Sequence, residues 1–151
     1  MVCLLDTLEG VQQKKSDMRD VPLPSTAYRG AVPCVHRVPG DGNCMFAAIG
    51  HVDGEPAHRV RARVVRHVAA HWETYRDFLE HNEARDWLAR MARAGEWGDE
   101  LVLRAFADAT PAAVRVLDAT TRALLWRYPS HTVRGTPRTV LYGGAHYDAL
   151  H

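Results

Sequence analysis

Near Pro111 the apolar residues change their rhythm, and no other feature constrains the fold of this chain as much. Before that point Val60, Val64, Val68, Trp72, Tyr75 and Leu79 recur at spacings of four and three, which holds them on one side of a helix over 57–79. Asn82 is placed to cap a second helix carrying Ala84, Trp87, Leu88 and Met91, which Gly95 ends. Gly98 or Asp99 opens a third, with Leu101, Val102, Ala105 and Phe106 turned inward. After Pro111 come short β-rich runs, Val114–Leu117, Ala123–Trp126 and Thr139–Tyr142, each flanked by turn residues. Helices grouped ahead of strands predict an α+β domain (α/β in the broad sense), a small central sheet with helices packed around it.

Upstream, Leu4, Leu5, Leu8 and Val11 suggest a short helix within 4–19, and Pro22 and Pro24 end it in an extended linker. The expected organisation is an N-terminal extension, 1–25, followed by one domain, 26–151. A chain of 151 residues is one domain by length and large enough for a core without disulfide staples or a structural metal. Val32–Val38 reads as a strand, with Pro33 placing it at an edge or a strand start. It runs into the turn Pro39–Gly42, and the apolar run Met45–Ile49 behind Asn43 and Cys44 opens a helix.

That turn places a thiol at the start of a helix, where unpaired N–H groups favour thiolate over thiol. The same turn leaves backbone N–H groups aimed into the space a developing oxyanion needs. A thiolate nucleophile also requires an imidazole and a third group to fix that ring's tautomer. Among nine histidines His146 stands out, because it follows the last predicted strand and the pair Gly143 and Gly144, and Asp148 lies two residues on. In extended chain such residues share a face, so Asp148 reaches the ring.

These residues carry a family resemblance. The run Asp41 to Phe46 resembles the cysteine box of the ovarian-tumour (OTU) family of deubiquitinating cysteine proteases, and His146, Tyr147 and Asp148 resemble its histidine box. Trp97 and Gly98 are similar to its internal Trp-Gly segment, so the likeness spans about Ala31 to Leu150. Met45 stands where the family usually has Leu, Ala47 where Arg is frequent and Ala149 where Ser is common. The resemblance implies an OTU-like cysteine protease fold, with Cys44 as nucleophile, His146 as base and then acid, and Asp148 as orienting group. Asp41 joins this set through the loop: its backbone N–H, with those of Gly42 and Cys44, is expected to form the oxyanion hole, and its carboxylate to steady the turn. Asn43, Gly143, Gly144 and Tyr147 are the expected walls of a substrate channel, with Tyr142 an alternative to Tyr147. The implied reaction is hydrolysis of the isopeptide bond at the C-terminal Gly of ubiquitin, with no metal or organic cofactor. Ubiquitin or polyubiquitin is the expected partner, with ubiquitin-like modifiers as further candidates. Two alternatives stand beside this reading: a silent ubiquitin-binding module of the same fold, and a cysteine protease cutting an ordinary polypeptide.

The remaining features read more plainly. Nineteen Lys and Arg against 18 Asp and Glu leave a charge of +1, which favours neither nucleic acid nor an acidic membrane surface. Arg59, Arg61, Arg63 and Arg66 then read as a solvated helix face. Lys14 and Lys15 are the only lysines beside 17 arginines, a bias that a GC-rich genome explains, or alternatively the advantage of offering few amines to ubiquitin ligases. Cys3, Cys34 and Cys44 are odd in number and lack close spacing, which argues against a disulfide framework or a zinc ribbon and for an intracellular, reducing compartment. Cys3 and Cys34 are expected to be structural. The N-terminus does not read as a secretory signal, and no run is long enough for a membrane helix. His67 and His71 lack the Glu of a zinc-protease motif, and the four tryptophans default to core packing. The economy of the chain suggests a monomeric viral protein or bacterial effector.

Overall fold

The computed structural model describes residues 33–79, 84–129 and 136–151, and the fold is that of Val35–His151. The expected helix within 4–19, its linker, Val32 and the Asn82 cap lie outside the described residues. The elements are β1 (Val35–His36), α1 (Cys44–Gly50), α2 (Ala57–Ala70), α3 (Trp72–Tyr75), α4 (Ala84–Met91), α5 (Glu100–Ala109), β2 (Val114–Asp118), β3 (Leu124–Tyr128), β4 (Arg138–Tyr142) and β5 (Tyr147–Leu150). The strands form one sheet in the order β1-β5-β4-β2-β3, antiparallel except for β2 against β4. Helix α1 packs on β5, β4 and α2, while α5 packs on α2 and β2. This is the α+β arrangement that the change of rhythm predicts.

Three strand and helix boundaries differ from expectation. The helix expected over 57–79 is broken at His71 (φ −117°, ψ 35°), whose backbone N–H still bonds the carbonyl of His67. Val60, Val64, Val68 and Tyr75 are nevertheless all buried, because α3 resumes the same inward face. Apolar spacing reports which residues face the core, not that every intervening peptide is helical. Strand β1 keeps two residues of an expected 32–38, since its ladder lasts only as far as the short β5 it pairs with. The sequence reading missed β5 itself as a strand: Tyr147–Leu150 holds no β-branched residue, yet it lies between β1 and β4 with Asp148 and Ala149 buried.

Side chains bring further corrections. Trp87 is fully buried, but Trp97 is 64% and Trp126 43% exposed, against the expectation of core packing; Trp126 lies on the edge strand β3, whose face is open. Cys34 is disulfide-bonded, which corrects the expectation drawn from the cysteine count, since an odd number excludes only complete pairing. Met45 is buried against Gly98, where an added Cβ would come within 2.6 Å of its sulfur, so the flexible thioether and the glycine fit as a pair.

Asp99 ties two helices together. One carboxylate oxygen accepts from the N–H of Val102, capping α5, and the other accepts from the indole N–H of buried Trp87 at 2.6 Å on α4. Asp99→Ala removes a cap and strands a buried donor, so a loss of about 2–4 kcal/mol is expected in urea unfolding. Asp99→Asn, which keeps one acceptor oxygen, should lose about half of that.

Candidate active site

The loop between β1 and α1 is built by its own polar groups. The carboxylate of Asp41 accepts from the backbone N–H of Asn43 at 2.9 Å, and this bond holds the Asp41 carboxyl below the usual carboxylate range. The carbonyl of Asn43 in turn accepts from Ala47, starting α1. Gly42 has φ +81°, and a Cβ there would fall on the carbonyl of Gly95, so only glycine fits. Cys44 is the first residue of α1, half-buried and a free thiol. Among the described residues no backbone carbonyl takes the N–H of Asp41, Gly42 or Cys44; that of Asp41 turns to its own carboxylate, and those of Gly42 and Cys44 are the donors left for a ligand oxygen.

His146 ends the turn between β4 and β5. Tyr142 pairs with Tyr147, the N–H of Gly143 donates to the carbonyl of His146 at 2.9 Å, and Gly144 supplies the left-handed φ of +83°. The Tyr142 hydroxyl donates to the carbonyl of Gly144. Two residues on, Asp148 meets the ring as the i, i+2 rule requires, with Nε2 of His146 3.0 Å from Oδ1. A carboxylate only accepts, so Nε2 carries the proton and Nδ1 presents its lone pair. That Nδ1 lies 3.7 Å from where a Cβ on Gly40 would stand, which brings the ring onto the loop leading to Cys44.

Asp148 is held by residues that the sequence reading did not single out. The backbone N–H of Val38 donates to Oδ1 and the Arg37 guanidinium to Oδ2, both at 3.0 Å. The register Val35↔Leu150, His36↔Ala149 carries Arg37 and Val38 onto Asp148, a relation invisible without β5. Asp148 is thereby buried and has three donors, which fix its plane and so the plane of the imidazole.

Arg61 corrects another expectation. Rather than joining a solvated face it is 3% exposed, with Nη2 donating to the carbonyls of Gly42 and Glu96 and to Oδ1 of Asn43, and Nη1 to the carbonyl of Met91. Its position could have signalled this: it precedes Val64 and Val68 by three and seven residues, on the inward stripe. The side-chain oxygen of Asn43, expected to wall a channel, is instead engaged by Arg61 and by the N–H of Gly95 at 3.0 Å. Tyr147 stays beside the loop: its hydroxyl is pushed up to about 12 by burial, with Tyr142 and Cys44 adding to the effect, so it is a neutral phenol at pH 7. Gly143 and Gly144 are exposed at the hairpin tip. A groove of about 670 Å³ runs along α2 behind the loop, with Asp41, Asn43, Ala47 and Arg66 in its wall, but neither Cys44 nor His146 lines it. His67 bonds the Tyr75 hydroxyl at 3.0 Å, and its ring lies against that of His71, with centroids 4.4 Å apart.

The family model of OTU-like cysteine proteases matches residues 39–147, from the turn before Cys44 to the residue after His146. The chain belongs to this family. Among curated relatives, the ovarian tumor domain-containing deubiquitinating enzyme 10 of Arabidopsis thaliana is 37% identical over 84 residues, 54% of this chain and 23% of that protein. Enzyme 2 of the same series, also from Arabidopsis thaliana, is 30% identical over 118 residues, 75% of this chain and 55% of the relative. The OTU-like domain thus spans between about a quarter and a half of these relatives. Among solved structures, the OTU domain of OTUD1 superposes with a TM-score of 0.72 at 18% identity, covering 79% of this chain and 85% of that one. Over this likeness the OTU-like fold is shared. Among the described residues no helix is long and apolar enough to cross a membrane.

Proposed function

We propose that this OTU-like domain is a thiol isopeptidase that releases ubiquitin from substrate amines. The observation that carries the reading is the ring of His146, tied through Nε2 to Asp148 and turned with Nδ1 toward the loop that ends in Cys44. Relatives named as deubiquitinating enzymes support ubiquitin as the substrate. So does a solved OTU domain in complex with ubiquitin, similar in fold with a TM-score of 0.67 at 22% identity, over 78% of this chain and 69% of that one.

In this reading Nδ1 of His146 takes the proton of the Cys44 thiol, and the thiolate attacks the carbonyl carbon of ubiquitin's C-terminal Gly. The carbonyl oxygen becomes an oxyanion, received by the N–H groups of Cys44, Gly42 and Asp41. His146 returns the proton to the departing lysine amine, leaving a thioester. Water, deprotonated by the same ring, then cleaves the thioester and regenerates the thiol. Asp148 keeps Nε2 protonated throughout, so every proton is handled by Nδ1. Tyr147 and the Gly143–Gly144 tip flank the approach of the narrow Gly-Gly tail.

The domain assignment extends this reading: 26–151 as the catalytic domain, 1–25 as an extension to it, acting as a monomer inside a cell, where ubiquitin conjugates are found. The test is incubation with a ubiquitin carrying a thiol-reactive electrophile at its C-terminus, read by mass. A shift of one ubiquitin in the wild type and none in Cys44→Ala is expected. A folded wild type that binds ubiquitin without a shift would leave a silent binding module, and one that neither binds nor reacts yet cuts a peptide would leave an ordinary protease.

A further inference from the structure

We propose that Arg61 is a positioning residue for the oxyanion loop, locking the peptide between Gly42 and Asn43 so that the neighbouring N–H groups stay aimed at the reacting carbonyl. The inference rests on Cys44 being the nucleophile, as proposed above. Arg61 sits on α2, outside the loop it holds, and its guanidinium is buried without an ion-pair partner among the described residues. Its charge is met by oxygens and a ring: Glu96 carbonyl at 2.7 Å, Asn43 Oδ1 at 2.8 Å, Met91 carbonyl at 2.9 Å, Gly42 carbonyl at 3.3 Å, and the face of Phe46 with its centroid 3.9 Å from the guanidinium carbon. The carboxylates of Glu96 and Asp41 act on that charge from beyond ion-pair contact, but every direct partner is neutral; burying a cation in this way is costly, and an apolar side chain would fill the same space at less cost. The carbonyls it collects come from two separate segments, the cysteine loop and the turn after α4, so what the charge adds is their mutual position.

The consequence for chemistry follows from the loop's weakest point. Gly42 has a left-handed φ, and a glycine lets the peptides on either side of it rotate at little cost. Rotation of the Gly42–Asn43 peptide would break the tie of its carbonyl to Arg61 and of its N–H to Asp41, and so free the two peptides beside it, which carry the N–H groups of Gly42 and Cys44, to shift. Both ends of that peptide are tied: the carbonyl to Arg61 and the N–H to the Asp41 carboxylate. Asn43 adds a second tie, its amide oxygen accepting from Arg61 and from Gly95, on the turn that Gly42 itself approaches. Arg61 touches neither substrate nor thiol in this scheme; it acts through the loop.

The experiment uses the full chain with Arg61→Met and Arg61→Lys, the second keeping the charge but not the planar fork that serves several oxygens at once. Misplaced oxyanion donors lower turnover more than binding, so kcat for ubiquitin cleavage should fall about 100-fold in Arg61→Met, with KM within about threefold of wild type. Arg61→Lys should lie between the two. Alkylation of Cys44 by iodoacetamide, which needs the thiolate but no oxyanion hole, should stay within about twofold of wild type. Amide exchange should rise in 40–46 while the central strands β2 and β4 keep their protection. Unchanged kcat and unchanged exchange in either folded variant, a fall in alkylation to match kcat, or failure of both variants to fold would each overturn the proposal. If wild type cleaves no ubiquitin, the substrate assignment fails by itself, and the exchange and alkylation measurements still decide whether Arg61 holds the loop.

Discussion

His146→Ala is expected to lower kcat for ubiquitin cleavage by about 10⁴-fold, the scale on which removal of one member of a nucleophile–base–orienter set acts. The fold should barely respond. The imidazole is part-exposed and its one side-chain bond is to Asp148, which keeps two donors, Arg37 and Val38, when the ring is gone. A stability change within about 1 kcal/mol is therefore expected. The variant should bind ubiquitin as the wild type does. Cleavage retained within about tenfold would mean that another group activates Cys44, and the assignment of Nδ1 would fall.

Particular residues show how far the sequence spoke and where it stopped. The stripe Val60, Val64, Val68 and the β-rich runs after Pro111 were legible because each side chain declares its face through a local period. The cysteine and histidine boxes were legible for a related reason: Gly42 two residues before Cys44, and His146 two residues before Asp148, are demands made within short stretches of chain. What stayed hidden was non-local. The strand β5 lacks β-branched residues and exists because β1 and β4 supply its ladder on both sides. Arg37 and Val38 gain their role only through that pairing. Arg61 was placed with its exposed neighbours by charge, whereas its position in the stripe said inward; the acceptors that make an inward arginine tolerable come from residues 18 to 35 positions away.

Asp148 serves both the ring and the sheet, and two substitutions separate these duties. In Asp148→Ala the N–H of Val38 loses its acceptor while the exposed Arg37 guanidinium turns to solvent, so a loss of about 2 kcal/mol is expected, with faster amide exchange over Val35–Val38. The imidazole is freed to rotate and to change tautomer, and kcat should fall by about 10³-fold. In Asp148→Asn the amide oxygen replaces Oδ1, accepting from both Val38 and Nε2 of His146, while the amide nitrogen meets Arg37 donor against donor. The exposed Arg37 side chain swings into solvent at little cost, so Asn should lose only about 1 kcal/mol and keep most of the ring's orientation, with kcat down about 10-fold. Chemical denaturation and steady-state cleavage on the same preparations decide the matter. If Asp148→Ala lost stability but kept kcat, the carboxylate would be an anchor for β1 alone, and His146 would have to be oriented by its backbone turn at Gly143 and Gly144.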